Sequence, residues 1–370
     1  MYLKNEKAII WLDLFDFLTN KKKEEILSVF DNPSDVFENF KNSYYQLQNI
    51  ITKQQFDKMC YAIDDQYLNN EITNLDSKGI KVLTYVSKNY PQQFLNYPDK
   101  PLILYYKGDI SLLNTICVGI VGTRKPTIYG RQVTEKFAKT LASSGVTIVS
   151  GLADGVDSVA HRAALDVNGK TIAVMGGGFE HIYPTRNFEL EKEIEQKGLV
   201  ITEYRPEVGT AHYHYPVRNR IIAGLSRAVL ITEASQKSGT MHTKNYCLDY
   251  GIDIYAVPGE ITSFASSGTN AIIKSCQGAM AISPDDILTD LNLLNVYKPA
   301  VKNLQLSFEE QLVLSVIDGE MHFDEIIAKT KMDTKTLLTL LTTMELGGLV
   351  KKLSGNYYCK NWHKTFLNKK

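Results

Sequence analysis

The stretch of this chain richest in chemistry is His212-Tyr213-His214-Tyr215-Pro216-Val217-Arg218-Asn219-Arg220-Ile221-Ile222-Ala223-Gly224-Leu225-Ser226. Aromatic rings stand immediately before two arginines at i and i+2. Rings of this kind stack on unpaired bases while guanidiniums grip phosphates, which is how single-stranded nucleic acid is bound. The same residues also admit a structural reading, in which Tyr213 and Tyr215 cover the core and the arginines pair with Glu203 and Glu233. His212 and His214 have a spacing that could ligate a metal from a strand. No carboxylate or cysteine pair stands near to complete the set, so loop or base-contacting roles fit them better, and no metal is expected. Asp157 and His161 fall at i, i+4 on one helix face, as an acid/base pair or as buried orienting groups. Glu203 and Glu233 end predicted strands, where they either do chemistry or hold loop amides and arginines.

A second group of residues is spread along the chain but alike in kind. Short apolar runs are each followed by a glycine-rich or hydroxyl-rich turn: Gly122-Thr123-Arg124-Lys125-Pro126, Gly151-Leu152-Ala153-Asp154-Gly155, Gly176-Gly177-Gly178, Ser235-Gln236-Lys237-Ser238-Gly239-Thr240 and Pro258-Gly259. Glycine lets backbone N–H groups approach an anion, and a following helix N-terminus adds positive partial charge. One such turn is a tight strand-to-helix connection and nothing more. Five with interleaved cations read as a phosphate-contacting ridge. The spacing excludes familiar nucleotide motifs: Gly119-Ile120-Val121-Gly122 is not G-x-G-x-x-G, and neither a P-loop nor a G-x-S-x-G elbow occurs.

The elements that must position these residues follow from periodicity. Residues 1–72 read as short helices, with apolar residues at helical spacing in Ile9–Leu18 and Ile26–Phe30. Over 73–290 the runs Ile80–Thr84, Leu102–Tyr106, Cys117–Val121, Thr147–Ser150, Thr171–Met175, Leu199–Thr202, Ala228–Thr232 and Asp253–Val257 alternate with amphipathic segments. That alternation, with near-continuously apolar strands, predicts a doubly wound parallel sheet, whose ligands bind at the carboxyl ends of the strands. After a polar stretch around Asn292–Asn303, a capping box at Ser307–Glu310 opens a helix running to Val316. Helices at Phe323–Lys329 and Thr334–Leu346, the latter stopped by Gly347-Gly348, and a hairpin of Leu349–Leu353 and Tyr357–Cys359 complete a winged helix over 304–370. Its third helix offers Lys335, Thr339 and Thr342 to a partner, and Lys351, Lys352, Lys364, Lys369 and Lys370 add charge, but duplex DNA and protein remain equally open as that partner.

Composition restricts the classes. With 370 residues, 41 basic and 41 acidic side chains and 44% hydrophobic residues, the chain reads as a two- or three-domain globular protein without global attraction to polyanions. Any such site must therefore be a local cluster. Five scattered cysteines argue for a reducing compartment, and neither a secretory leader nor a membrane span is expected, which makes a cytoplasmic protein the default.

The motifs closely resemble those of the DprA/Smf (DNA-processing protein A) family. The resemblance rests on Gly122–Pro126 with Tyr129-Gly130, Ser150–Asp157 with Ala160-His161, and Thr171–Gly178 with Tyr183-Pro184 and Asn187. It continues in Pro216 with Arg218–Ser226, Glu233-Ala234 with Ser238–Thr240, Ala256–Gly259 and Ser267–Asn270. It implies an extended Rossmann-like α/β domain, a small N-terminal helical domain of the SAM or helix-hairpin-helix kind, and a C-terminal winged helix. It also implies a non-enzymatic, cofactor-free homodimer that binds single-stranded DNA, protects it during natural transformation and loads a RecA-type recombinase. Carried over by motif, the site would comprise Gly122, Thr123, Arg124, Lys125, Gly151, Gly177, His212, Tyr215, Arg218, Asn219, Arg220, Lys237, Ser238, Gly239 and Thr240. Within it, Arg124, Arg218 and Arg220 would hold phosphates, and Tyr215, where the family often has phenylalanine, would meet bases. His212 stands where lysine is frequent, and Met241-His242 replaces a small or aliphatic pair. The alternative is a phosphoribohydrolase-like enzyme on a related fold. That class needs a P-G-G-x-G-T-x-x-E loop, whereas Lys237–Thr243 has no glutamate after it.

Overall fold

The computed structural model describes residues 2–293, 306–347 and 349–360, in two compact units, Met1–Pro299 and Ala300–Lys370. Residues 294–305, Gly348 and Lys364, Lys369 and Lys370, which the sequence places in the linker, a helix stop and a basic tail, lie outside the described residues.

The first unit opens with six helices, α1 (Lys4–Asp13), α2 (Asn20–Leu27), α3 (Asp35–Asn39), α4 (Tyr44–Leu47), α5 (Lys53–Tyr61) and α6 (Asp65–Ser77). Strands β1 (Lys81–Thr84) and β2 (Ile103–Gly108) follow. The alternating part comprises β3 (Cys117–Val121), α7 (Ile128–Ser143), β4 (Thr147–Ser150), α8 (Val156–Asp166), β5 (Thr171–Met175), α9 (Phe188–Lys197), β6 (Leu199–Thr202), α10 (His214–Leu225), β7 (Ala228–Ile231), α11 (Thr240–Tyr250), β8 (Asp253–Ala256), α12 (Ser267–Lys274), β9 (Ala279–Met280) and α13 (Pro284–Asp290). The nine strands form one sheet in the order β1-β2-β6-β5-β4-β3-β7-β8-β9. From β6 to β9 every pairing is parallel, as the alternation predicts, whereas β2 pairs antiparallel with both β6 and β1. The chain crosses from β3 through β4 and β5 to β6 on one side and from β7 to β9 on the other. The topological switch point therefore lies between β3 and β7, where open α/β sheets hold their ligands.

Strands β3 to β7 are buried along their whole length because both faces are covered, which is why their sequences do not alternate. One face meets Ile221, Ile222 and Leu225 of α10, Cys247 of α11 and Ile272 of α12. The other meets Phe137 and Leu141 of α7 and Ala160 and Ala164 of α8. At the β1–β2–β6 end that second layer continues into the N-terminal helices. Ile9, Trp11, Ile26, Phe40, Phe56 and Met59 form a single core with Ile103, Tyr105, Met175 and Val200. The buried Lys23–Asp13 ion pair (2.5 Å), with the Tyr105 hydroxyl donating to Asp13 (2.6 Å), ties helix to strand.

In α9, Glu191 is fully buried, with the Lys192 ammonium 3.7 Å from its carboxylate and the Glu195 carboxyl beside it. Burial, together with Glu195 one turn on, pushes its pKa up to about 8.

The second unit contains α14 (Phe308–Val316), β10 (Glu320–His322), α15 (Phe323–Thr330), α16 (Thr334–Leu346), β11 (Val350–Lys352) and β12 (Tyr357–Lys360). The predicted capping box is formed, Ser307 Oγ accepting the Glu310 N–H and Glu310 accepting the Ser307 N–H. The expected hairpin gains a third strand, β10, in the order β10-β12-β11, to give a winged helix. Val313, Ile326, Leu337, Leu341 and Tyr358 form its core.

Candidate nucleic-acid interface

An open cleft of about 400 Å³ lies at the switch point. The turn after β3 supplies Gly122, Thr123 and Arg124, the turn after β4 supplies Ala153, and α8 adds Asp157. The start of α10 brings Tyr215, Pro216, Arg218 and Asn219, and the β7–α11 connection brings Ser235, Ser238, Gly239 and Thr240. The N-terminus of α11 thus opens on the cleft with its positive dipole end, and the Ser238 hydroxyl accepts the Thr240 N–H (3.2 Å).

Arg218 forms the floor. Its Nη1 donates to the carbonyls of Gly151 and Val174, the ends of two neighbouring strands, and its buried Nε has no partner. Burial lowers its pKa, and the charge of Asp157 opposes that effect. The guanidinium occupies the space a side chain at position 151 would need. A Cβ there would lie under 3.0 Å from three of its atoms, so any side chain at 151 forces the guanidinium to shift.

The β4–α8 turn is held from beneath. Gly151 donates its N–H to Asp157 (3.2 Å), and Leu152, at φ +55°, donates to His161 Nε2 (3.3 Å). Thr171 gives its hydroxyl proton to the Ile148 carbonyl (2.8 Å), so it must accept from His161 Nδ1–H (2.7 Å). That arrangement fixes the neutral tautomer with Nε2 as acceptor. Burial first, and then the Arg218 charge, depress the His161 pKa to about 3, while burial raises that of Asp157. Asp157 and His161 therefore do not pair with each other: His161 holds the Leu152 amide, and Asp157 accepts from the turn at Gly151 and Ala153.

Of the residues named from sequence, Gly122, Thr123, Arg124, Tyr215, Arg218, Asn219, Ser238, Gly239 and Thr240 come together around the cleft. Gly151 lies directly beneath Arg218. Gly177 is buried and packs against Thr210, while Lys125, His212 and Lys237 are exposed outside the lining. Arg220 departs most from expectation. Residues i and i+2 of a helix point about 200° apart, whereas i, i+3 and i+4 share a face. Tyr215, Arg218 and Asn219 consequently face the cleft, and Arg220 is turned to the far side. There its Nη2 reaches both oxygens of Glu203 (2.6 Å each), its Nε lies 3.9 Å from Asp99, and Asn20 of α2 also donates to Glu203 (2.7 Å). Glu233 is equally committed, accepting the Thr127 N–H and hydroxyl (2.7 Å each). Val121, Ala153, Asp157, Pro216, Ser235 and Thr243 also line the cleft, although none was among the site residues carried over by motif. Pro216 sits beside the singled-out Tyr215, and Thr243 lies one turn after the Ser238–Thr240 motif.

Arg124 lines the same cleft, close enough to Arg218 for their charges to interact. Its guanidinium carbon lies 4.9 Å from the centroid of the Tyr215 ring, and among the described residues it has no ion-pair partner.

These features define a class: α/β proteins with a cation-lined crevice at the switch point of an extended Rossmann-like sheet, joined to a winged helix. Residues 81–292 match the family described as DNA recombination-mediator protein A, and residues 298–356 match the DprA winged helix domain. The chain belongs to this DNA recombination-mediator family. It is 36% identical over 283 residues to Protein Smf of Escherichia coli, covering 73% of this chain and 75% of that one. It is 40% identical over 221 residues to the DNA processing protein DprA of Bacillus subtilis, covering 59% and 74%. The crystal structure of DprA from Streptococcus pneumoniae superimposes with a TM-score of 0.66 at 31% identity, covering 78% of this chain and 99% of the other. DNA processing protein A of Helicobacter pylori, whose structure addresses its single-stranded DNA binding mode, matches with a TM-score of 0.53 at 33% identity, covering 59% and 97%.

Proposed function

We propose that the cleft binds single-stranded DNA without sequence preference, leaves its bonds intact, and delivers the strand to a RecA-type recombinase. The observation that carries this reading is the pairing of an uncommitted guanidinium, Arg124, with the Tyr215 ring beside the buried charge of Arg218. Arg124 and Arg218 offer charge to phosphates, and the Tyr215 ring offers a face to a base. Arg124 and Arg218 are the proposed phosphate contacts. Ser238, Gly239 and Thr240 would add backbone and hydroxyl donors at the α11 N-terminus. Arg220 is kept out of the contact set, because its charge is satisfied by Glu203 on the other face of α10. We further propose that the protein works as a homodimer in the cytoplasm, shielding incoming strands during natural transformation.

Fluorescence anisotropy with labelled oligo-dT and a duplex of equal length tests the central claim. Tight binding of the single strand, lost in Arg124→Ala and Arg218→Ala, is expected. Unchanged oligo-dT affinity in both variants would refute the site. Recombinase filament formation on a strand already coated with single-strand-binding protein tests delivery, and should accelerate only when the cleft is intact. Sedimentation of the full chain tests the dimer.

A further inference from the structure

We propose that Arg124 and a DNA base compete for the same ring, so that strand entry moves the guanidinium from Tyr215 to a phosphate. The proposal rests on the single-strand reading above and adds a built-in exchange to it. Three observations carry it. The Arg124 guanidinium carbon stands 4.9 Å from the Tyr215 centroid, within cation–π range, and both residues line the cleft. No carboxylate among the described residues pairs with Arg124, and its guanidinium faces the ring. The ring lies against the Gly176 backbone, where an added Cβ would stand 3.0 Å from it, with Tyr183 6.4 Å away centroid to centroid. With its other face toward Gly176, the ring offers one open face, and in the free protein Arg124 occupies it.

The magnitudes set the direction of the exchange. An exposed cation–π contact shifts an equilibrium by about two- to fivefold, whereas base–aromatic stacking contributes about fivefold to more than a hundredfold. A base therefore displaces the guanidinium, which then reaches the phosphate that arrives with the base. A bare sugar-phosphate chain must draw Arg124 off the ring with no base to replace it.

The test compares oligo-dT with an abasic phosphodiester oligomer of equal length, using full-length wild type, Tyr215→Ala and Tyr215→Phe. Tyr215→Ala is expected to lose at least about fivefold for oligo-dT. It is expected to gain about two- to fivefold for the abasic chain, because Arg124 is released in advance. Tyr215→Phe, which keeps the ring, should restore the oligo-dT affinity that Tyr215→Ala loses and abolish its abasic gain, an effect that loss of packing alone would not produce. Abasic affinity that is unchanged or reduced in Tyr215→Ala, while wild type binds oligo-dT, overturns the exchange and leaves the functional reading standing. Failure of wild type to bind either oligomer overturns both.

Discussion

Replacing Gly151 by alanine is the smallest change that tests the floor of the cleft. The added methyl would overlap the Arg218 guanidinium, so the side chain must leave its bonds to the Gly151 and Val174 carbonyls. Overpacking a close-packed site costs about 1–3 kcal/mol, and a hydrogen bond to a charged group is worth about 1.5–3 kcal/mol. Relaxation of the β4–α8 turn recovers part of this, so we expect a net loss of about 2–3 kcal/mol. In a unit of this size that corresponds to a fall in Tm of roughly 3–5 °C. If Arg218 is a phosphate contact, its displacement also lowers oligo-dT affinity by about tenfold or more, the worth of one charge-assisted bond. Gly239→Ala is the matched control, because a Cβ there meets nothing within 4 Å and should leave Tm unchanged. Calorimetry and anisotropy on the two variants decide the matter. A Gly151→Ala protein with wild-type Tm and wild-type affinity would show that the guanidinium does not rest on this turn.

Further expectations concern charge. Arg124→Ala should flatten the dependence of log affinity on log salt by about 0.7 for the phosphate it releases, and Arg220→Ala should leave that slope alone. Arg220→Ala should instead cost about 3 kcal/mol of stability in denaturant titration, since it strands Glu203 in a buried position. His161 is held neutral with a pKa near 3, against 6.5 as its ordinary value. The unfolded chain therefore takes up a proton first as pH falls, and stability declines from about pH 6.5 downward. In His161→Gln that decline should be shallower than in wild type, and equal slopes would contradict the buried-neutral assignment. Glu191 has the opposite sign. Its raised pKa means the native state keeps a proton that the unfolded chain releases, so its penalty grows between about pH 4.5 and 8. Glu191→Gln should be more stable than wild type by about 1–2 kcal/mol at pH 8, with the gap closing towards pH 4.5.

Much of this was legible in the sequence because it depended on local pattern. Strands β3 to β8 fall within one residue of their apolar runs, and the winged helix follows from a capping box and helical periodicity. What escaped was set by geometry that pattern does not carry. The antiparallel insertion of β2 between β1 and β6 is a long-range pairing with no signal in its own residues. Arg218 and Arg220 look like a matched pair in a linear string, but the helical twist sends them to opposite sides of α10. The i, i+3 spacing of Tyr215 and Arg218 would have identified the true pair. The buried orienting role of Asp157 and His161 was one of the two readings their i, i+4 spacing offered, but that spacing does not show which turn they hold, since the amides they accept lie six and nine residues upstream.

The covering of the sheet by the N-terminal helices carries a practical consequence. A fragment starting at residue 73 would leave Ile103, Tyr105, Met175 and Val200 facing water and would take Asn20 away from Glu203. Such a fragment should be aggregation-prone, with the α10 helix loosened from behind, even though every cleft residue would still be present in it.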